Sequence, residues 1–291
     1  MTKKGLARWC RLLVLELIAV VWAAGALVPI AFVLLASVKS RADFGANPYG
    51  LPQMWKFSNY VRAWNEAEFG RYFQNSFIVT AASVLAILSV STLAAYALAR
   101  SRIRGTFWLS FYFVAGMIIP FQLIMVPLYQ LLHSFHLVGG QALTIGGWPV
   151  GSFLALILTY TAGLMPMSVL LLTGFIRALP GELEDAAFID GCTPLQAFFR
   201  VMLPLIWPAV VTVALLSILR TWNDFFTPLV LIQNKAAWTI PLGLTMFFGQ
   251  YQTAYDLLFA GLGITMVPVL IIYALFSRQF IRGVAAGALK G

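Results

Sequence analysis

The sequence predicts an all-α integral membrane protein, one transmembrane domain over residues 1–291 with six membrane-spanning helices. Three observations carry this. The chain is 61% hydrophobic and 10% charged, with a mean hydropathy of +0.87, where an average soluble domain has about 25% charged residues. Six segments reach the ~20 residues a bilayer demands, near 12–38, 74–99, 107–132, 150–176, 205–232 and 257–277. The net charge of +9 is not a basic face for nucleic acid, because Lys and Arg fall at the edges of the apolar stretches, where they orient a membrane protein.

The first apolar segment begins near Leu12 and continues to about Ser37. A signal peptide has a shorter apolar region, about 7–15 residues, before its cleavage site. Ala24 and Ala26 mimic such a site, but the length favours a first span. With the N-terminus inside, twelve basic residues fall in inner segments and six in outer ones. Arg100, Arg102 and Arg104 in one short turn weigh most, and both termini are expected to be cytoplasmic. Cys10 and Cys192 then lie on the reducing side, where a disulfide is not expected.

The outer segment 39–73 carries Asn47, Pro48, Gly50 and Pro52, and is expected to begin as turns rather than as a helix. The segment 133–149 is Gly-rich and nearly uncharged. Its His133 and His136 have no acidic partner nearby and make no metal site. Trp238, Phe247, Phe248, Tyr251 and Tyr255 in 233–256 read as interfacial aromatics, with a partner-docking surface as the alternative.

Segment 177–204 is too polar to span, and it holds Glu182, Glu184, Asp185 and Asp190, four of the ten acidic residues. Pro180 suits the entry to a helix, and the acids behind it complement the helix dipole. Asp190-Gly191 is a stop and turn. Thr193 then reads as an N-cap, with Pro194 at the first helical position and Gln196 completing a capping box. Leu195, Phe198, Phe199 and Met202 recur at i, i+3, i+4, i+7, which predicts one apolar face. Two short helices hinged at Asp190-Gly191 follow. An anionic inner leaflet would repel such a cluster of carboxylates, so a protein partner explains it better than lipid headgroups.

Asp185-Ala186-Ala187, Gly191 and Leu203-Pro204 resemble the EAA motif of ABC-importer permeases, with Asp185 for the usual Glu (Glu184 precedes it) and Cys192 for the usual Ala. The C-terminal Gly287, Lys290 and Gly291 lie in a tail, 278–291, that resembles the second, maltose-type permease subunit of carbohydrate importers. Ser37-Val38-Lys39, Asn59-Tyr60, Asn75-Ser76, Pro127-Leu128-Tyr129 and Trp222-Asn223-Asp224-Phe225 are similar to that family as well.

The resemblance implies the type I importer permease fold in a bacterial cytoplasmic membrane, with a coupling helix between spans 4 and 5. It implies that Glu184, Asp185, Ala186, Ala187, Asp190, Gly191, Leu203 and Pro204 meet a separate ATPase, and that the tail reaches the ATPase dimer interface. The implied partners are a second permease subunit, two copies of the ATPase, an extracytoplasmic solute-binding protein, membrane lipid and a sugar.

Polar groups within a span are costly and need a reason. Arg220 and Asp224, four apart in the fifth span, have two readings: an ion pair that holds helices in register, or, with Trp222 and Asn223, a lining for a sugar path. Pro120, Pro127, Pro166, Pro228 and Pro268 predict kinks within spans. No G-x-x-x-x-G-K-[ST] occurs, so ATP and Mg belong to the partner ATPase; no H-E-x-x-H or G-x-S-x-G occurs either, so the chain is not expected to be an enzyme or to bind a cofactor. An ion-coupled secondary transporter is the competing class. It would need a mid-membrane ion site and would leave the acidic loop unexplained.

Overall fold

The computed structural model describes residues 3–66, 68–100, 105–140, 142–248 and 254–288. In order, its helices are α1 Lys3–Ser37, α2 Arg41–Ala46, α3 Ser58–Glu66, α4 Phe69–Arg100, α5 Thr106–Ile118, α6 Met125–Ser134 and α7 Val150–Ala178. There follow α8 Glu182–Ile189, α9 Pro194–Ala197, α10 Leu203–Leu205, α11 Trp207–Trp222, α12 Phe226–Leu231, α13 Ile240–Gly243 and α14 Tyr255–Ala288. No strand occurs among the described residues, only an isolated bridge between Ile145 and Trp148. Gly146 and Gly147, at φ 57° and 81°, make the turn between them, a backbone that residues with a Cβ rarely adopt.

Four helical stretches are long and apolar enough to cross a bilayer unaided: Leu12–Ser37, Phe69–Arg100, Val150–Ala178 and Tyr255–Ser277. Two bent pairs raise the number to six. The third predicted span is therefore not one rod. Thr106–Ile118 and Phe121–Ser134 meet at 88°, because Pro120 lacks an N–H and drives Ile119 out of the helical region, to ψ 118°. The fifth is not continuous either. The segment ahead of it, Pro194–Leu205, meets α11 at 76°, and within the span α11 stops at Trp222 before α12 resumes at Phe226.

Contacts divide the chain into two compact units, residues up to Phe69 with Leu244–Val267, and Gly70–Gly243 with residues from Pro268 on. In the first unit segment 39–73 departs from expectation, because it begins with a helix. The Ser40 hydroxyl caps α2 by accepting the Asp43 N–H at 3.1 Å, and turns come only after it. Lys39 is 0% exposed. Its ammonium donates to the carbonyls of Asn47 at 2.7 Å and Pro48 at 3.1 Å. The Asn59 amide donates to the carbonyls of Ser37 and Lys39 at 2.9 and 2.8 Å. These bonds offset the desolvation of Lys39 and tie α1, α2 and α3 together. Aromatic contacts complete the unit, with Phe44 stacked on Tyr255 at 5.1 Å and Phe32 edge-on to Phe259 at 5.5 Å.

The second unit has two apolar cores. One gathers Leu156, Tyr160 and Phe153 of α7 with Val79 of α4 and Leu231 of α12. The other gathers Leu172 and Ile176 of α7, Ile87 of α4, Val210 of α11, and Phe198 with Met202. At the N-terminal end of α4, the Asn75 amide donates to the carbonyls of Ala236 and Trp238, and the Ser76 hydroxyl accepts the Ile240 N–H at 2.8 Å. Segment 233–243 is thus packed rather than a simple interfacial loop, with Trp238 6.0 Å from Tyr72. Tyr251 lies outside the described residues.

Candidate functional site

The polar segment 177–204 folds as a two-armed elbow. Arm one, α8, carries Glu182, Glu184 and Asp185 in its first turn, where unpaired N–H groups favour negative charge. It stops at Asp190. Gly191 follows at φ +81°, the left-handed conformation that ends helices at little cost only when the residue is glycine. Arm two begins with the capping box read from sequence: Thr193 and Gln196 bond each other's backbone, and Pro194 fills the first turn.

Arm two then departs from the sequence reading. Phe198–Met202 form a π-helical turn, which shifts the register from the 3.6 period. Leu195, Phe198, Phe199 and Met202 therefore do not share one face. Phe198 and Met202 are buried in the apolar core, while Leu195 and Phe199 are exposed. π-turns inside helices recur at functional sites.

The motif residues separate in the same way. Asp185, Ala186, Asp190, Gly191 and Pro204 are exposed, whereas Ala187 and Glu184 are buried and Leu203 is half-buried. The outer tip is apolar as well as acidic, with Phe188 exposed and Ile189 85% exposed. Glu184 points inward instead, at 8% exposed. Its carboxylate accepts the Tyr96 hydroxyl and pairs with Arg100 Nε at 3.3 Å. Both partners belong to the last turns of α4. Arg100 reads from the sequence only as an orienting charge, and nothing local in the sequence marks Tyr96, which lies 88 residues from Glu184. Two further bonds flank the pair, from Arg100 to the Leu179 carbonyl at 2.8 Å and from Arg177 to the Leu98 carbonyl at 3.3 Å.

The fifth-span residues form a second site. Asn223 caps the end of α11, its amide donating to the Leu219 carbonyl at 2.9 Å. Asp224 Oδ1 accepts the N–H of Phe226 at 3.1 Å and of Thr227 at 3.4 Å, which starts α12. Side chains of this type compete with the helix backbone for hydrogen bonds, so they break the span. Among the described residues Arg220 makes no ion pair with Asp224, and the helix ends between them, which removes the pairing expected from their spacing. Trp222 is 4% exposed and packs edge-on against Phe73 at 5.5 Å; Asn223 is exposed. Of this trio, Trp222 belongs to the packed interior and Asn223 to the surface.

The tail continues α14 as helix through Gly287 to Ala288; Lys290 and Gly291 lie outside the described residues. His133 stacks on Tyr129 at 6.0 Å, and no cluster of three or more metal-ligating side chains occurs among the described residues.

Residues 88–286 match the family described as the inner membrane component of binding-protein-dependent transport systems. The diacetylchitobiose uptake system permease protein NgcG of Streptomyces coelicolor is 33% identical over 273 residues, covering 93% of this chain and 86% of that protein. The melibiose/raffinose/stachyose import permease protein MelC of Bacillus subtilis is 30% identical, covering 98% and 99%. In structure, the chain resembles a chain of a bacterial ABC transporter involved in the import of the acidic polysaccharide alginate, with a TM-score of 0.80 and 21% identity over 96% of this chain and 99% of that one.

Proposed function

The chain belongs to the family of inner membrane components of binding-protein-dependent transport systems, and from that premise we propose that it is half of the translocation path of an ATP-driven sugar importer. It is a membrane permease subunit of the ABC-importer class and not itself an enzyme. The elbow seats in a separate cytoplasmic ATPase, a second permease subunit supplies the other half of the path, and a solute-binding protein delivers a mono- or oligosaccharide from outside. Both termini are cytoplasmic.

The observation that carries the reading is the elbow's tip, where Ile189 and Phe188 stand exposed beside Asp185 and Asp190 on a turn that Gly191 permits and a capping box closes. Lipid headgroups of an anionic leaflet repel that combination, whereas a protein cleft accepts both its apolar and its acidic parts. Closure of two ATPase copies would push the elbow and rock the helices between inward- and outward-open arrangements. The ion-coupled alternative leaves the acidic, exposed elbow without a purpose.

The test is reconstitution in vesicles with the cognate permease partner, ATPase and solute-binding protein. Sugar accumulation that needs internal ATP and the binding protein supports the proposal. Accumulation driven by an ion gradient without the ATPase would overturn it.

A further inference from the structure

We propose that Tyr96 and Arg100 act as a strut that fastens both arms of the elbow to α4, so that the motion of the elbow is delivered to the second span as well as to the fifth. The proposal rests on the elbow being the seat of the ATPase. Chain connectivity alone links the elbow to α7 and α11, which precede and follow it. Nothing in the chain's order requires α4 to follow its movement.

The geometry supplies that link three times over. The Tyr96 hydroxyl donates to the Glu184 carboxylate on the first arm. Its distance to the Pro194 carbonyl, at the start of the second arm, is 3.4 Å. Its ring lies 5.1 Å from that of Phe198 in the π-helical turn. One side chain of α4 therefore touches both sides of the Asp190–Gly191 hinge. Arg100 adds the ion pair with Glu184 and holds the Leu179 carbonyl just ahead of the first arm. Arg177 returns the contact by donating to Leu98 of α4.

Burial decides what these contacts can do. Glu184 and Arg100 keep only 10% and 16% of their side-chain surface exposed. A carboxylate so placed is strongly disfavoured without its partners, so the elbow does not swing away from α4 without stranding a buried charge. The apolar core beneath, with Ile87 and Ala95 of α4 against Phe198 and Met202, resists separation because parting it would expose packed apolar surface. The elbow and the end of α4 move as one body, and a push on Ile189 reaches the full length of the second span. Glu184 is on this account a positioning residue turned toward its own chain, not a contact for the ATPase.

The test uses the assembled transporter in vesicles, with ATP hydrolysis and sugar uptake measured together. Tyr96→Phe keeps the ring on Phe198 and removes only the hydroxyl; Arg100→Gln removes the charge. Both are expected to retain the ATPase and hydrolysis within about twofold, while uptake per ATP hydrolysed falls at least fivefold. Exchanging the charges, Arg100→Glu with Glu184→Arg, is expected to recover part of that ratio relative to Arg100→Glu alone. An unchanged ratio in Tyr96→Phe and Arg100→Gln would overturn the strut, as would hydrolysis and uptake falling in parallel. Absence of ATP-dependent uptake by the unaltered chain would overturn the importer reading itself, a result distinct from either.

Discussion

Thr193 and Gln196 satisfy each other's backbone: the Thr193 hydroxyl accepts the Gln196 N–H at 3.4 Å, and the Gln196 side-chain oxygen accepts the Thr193 N–H at 2.9 Å. Together they start the second arm of the elbow on the far side of Gly191, where an uncapped helix of four residues would have little reason to form.

Thr193→Ala is expected to cost about 1 kcal/mol, the usual worth of an N-cap, and Thr193→Ser to cost much less. Limited proteolysis of the purified complex reads the loss locally. Cleavage near the elbow should rise in the alanine variant and not in the serine variant. Equal cleavage in both would show that the cap does not hold the arm.

The break at Asn223–Phe225 depends on Asp224 as an acceptor of two backbone N–H groups. Asp224→Asn keeps an acceptor oxygen, and Asp224→Ala does not. The alanine variant should lose about 1 kcal/mol of stability and much of its uptake, while asparagine should stay near the unaltered chain. Should asparagine fail as badly as alanine in the uptake assay, the charge of Asp224 and not its capping would be what matters.

Asn59→Leu removes two bonds to buried carbonyls beside Lys39. Leaving buried carbonyls unsatisfied costs about 1–3 kcal/mol each, so the melting temperature of the detergent-solubilised chain is expected to fall by several degrees. A melting temperature within 1 °C of the unaltered chain, about the resolution of such a scan, would mean that water or a shifted side chain replaces the amide.

Gly191→Val places a β-branched residue at φ +81°, at a cost of about 1–2 kcal/mol for the left-handed backbone. The hinge angle should relax rather than the membrane domain unfold. Far-ultraviolet helix content is then unchanged while ATPase capture weakens. A fall in helix content would place the fault in folding instead.

How far the sequence was legible follows the range of the interactions. The elbow was readable because its signals are local: Gly191 stops one helix, and Thr193, Pro194 and Gln196 start the next within four residues. The third span's break was readable as a kink at Pro120, but its size, 88°, was not, since a proline marks where a helix breaks without fixing the angle. The inward turn of Glu184 was hidden because its partner Tyr96 lies 88 residues away. The face predicted for Leu195, Phe198, Phe199 and Met202 failed because an α-helical period was applied to a π-helical turn. Of the two readings of Arg220 and Asp224, the ion pair is not formed, because Asn223 and Asp224 give their hydrogen bonds to ending one helix and starting another.

The exposed tip of the elbow is the proposed seat of a separate ATPase. Ile189, 85% exposed and without a role inside the chain, tests it most directly. Ile189→Glu should leave the melting temperature of the isolated permease unchanged, abolish co-purification of the ATPase, and remove ATP-dependent uptake in vesicles. An Ile189→Glu chain that still retained the ATPase and still accumulated sugar at the unaltered rate would contradict the account.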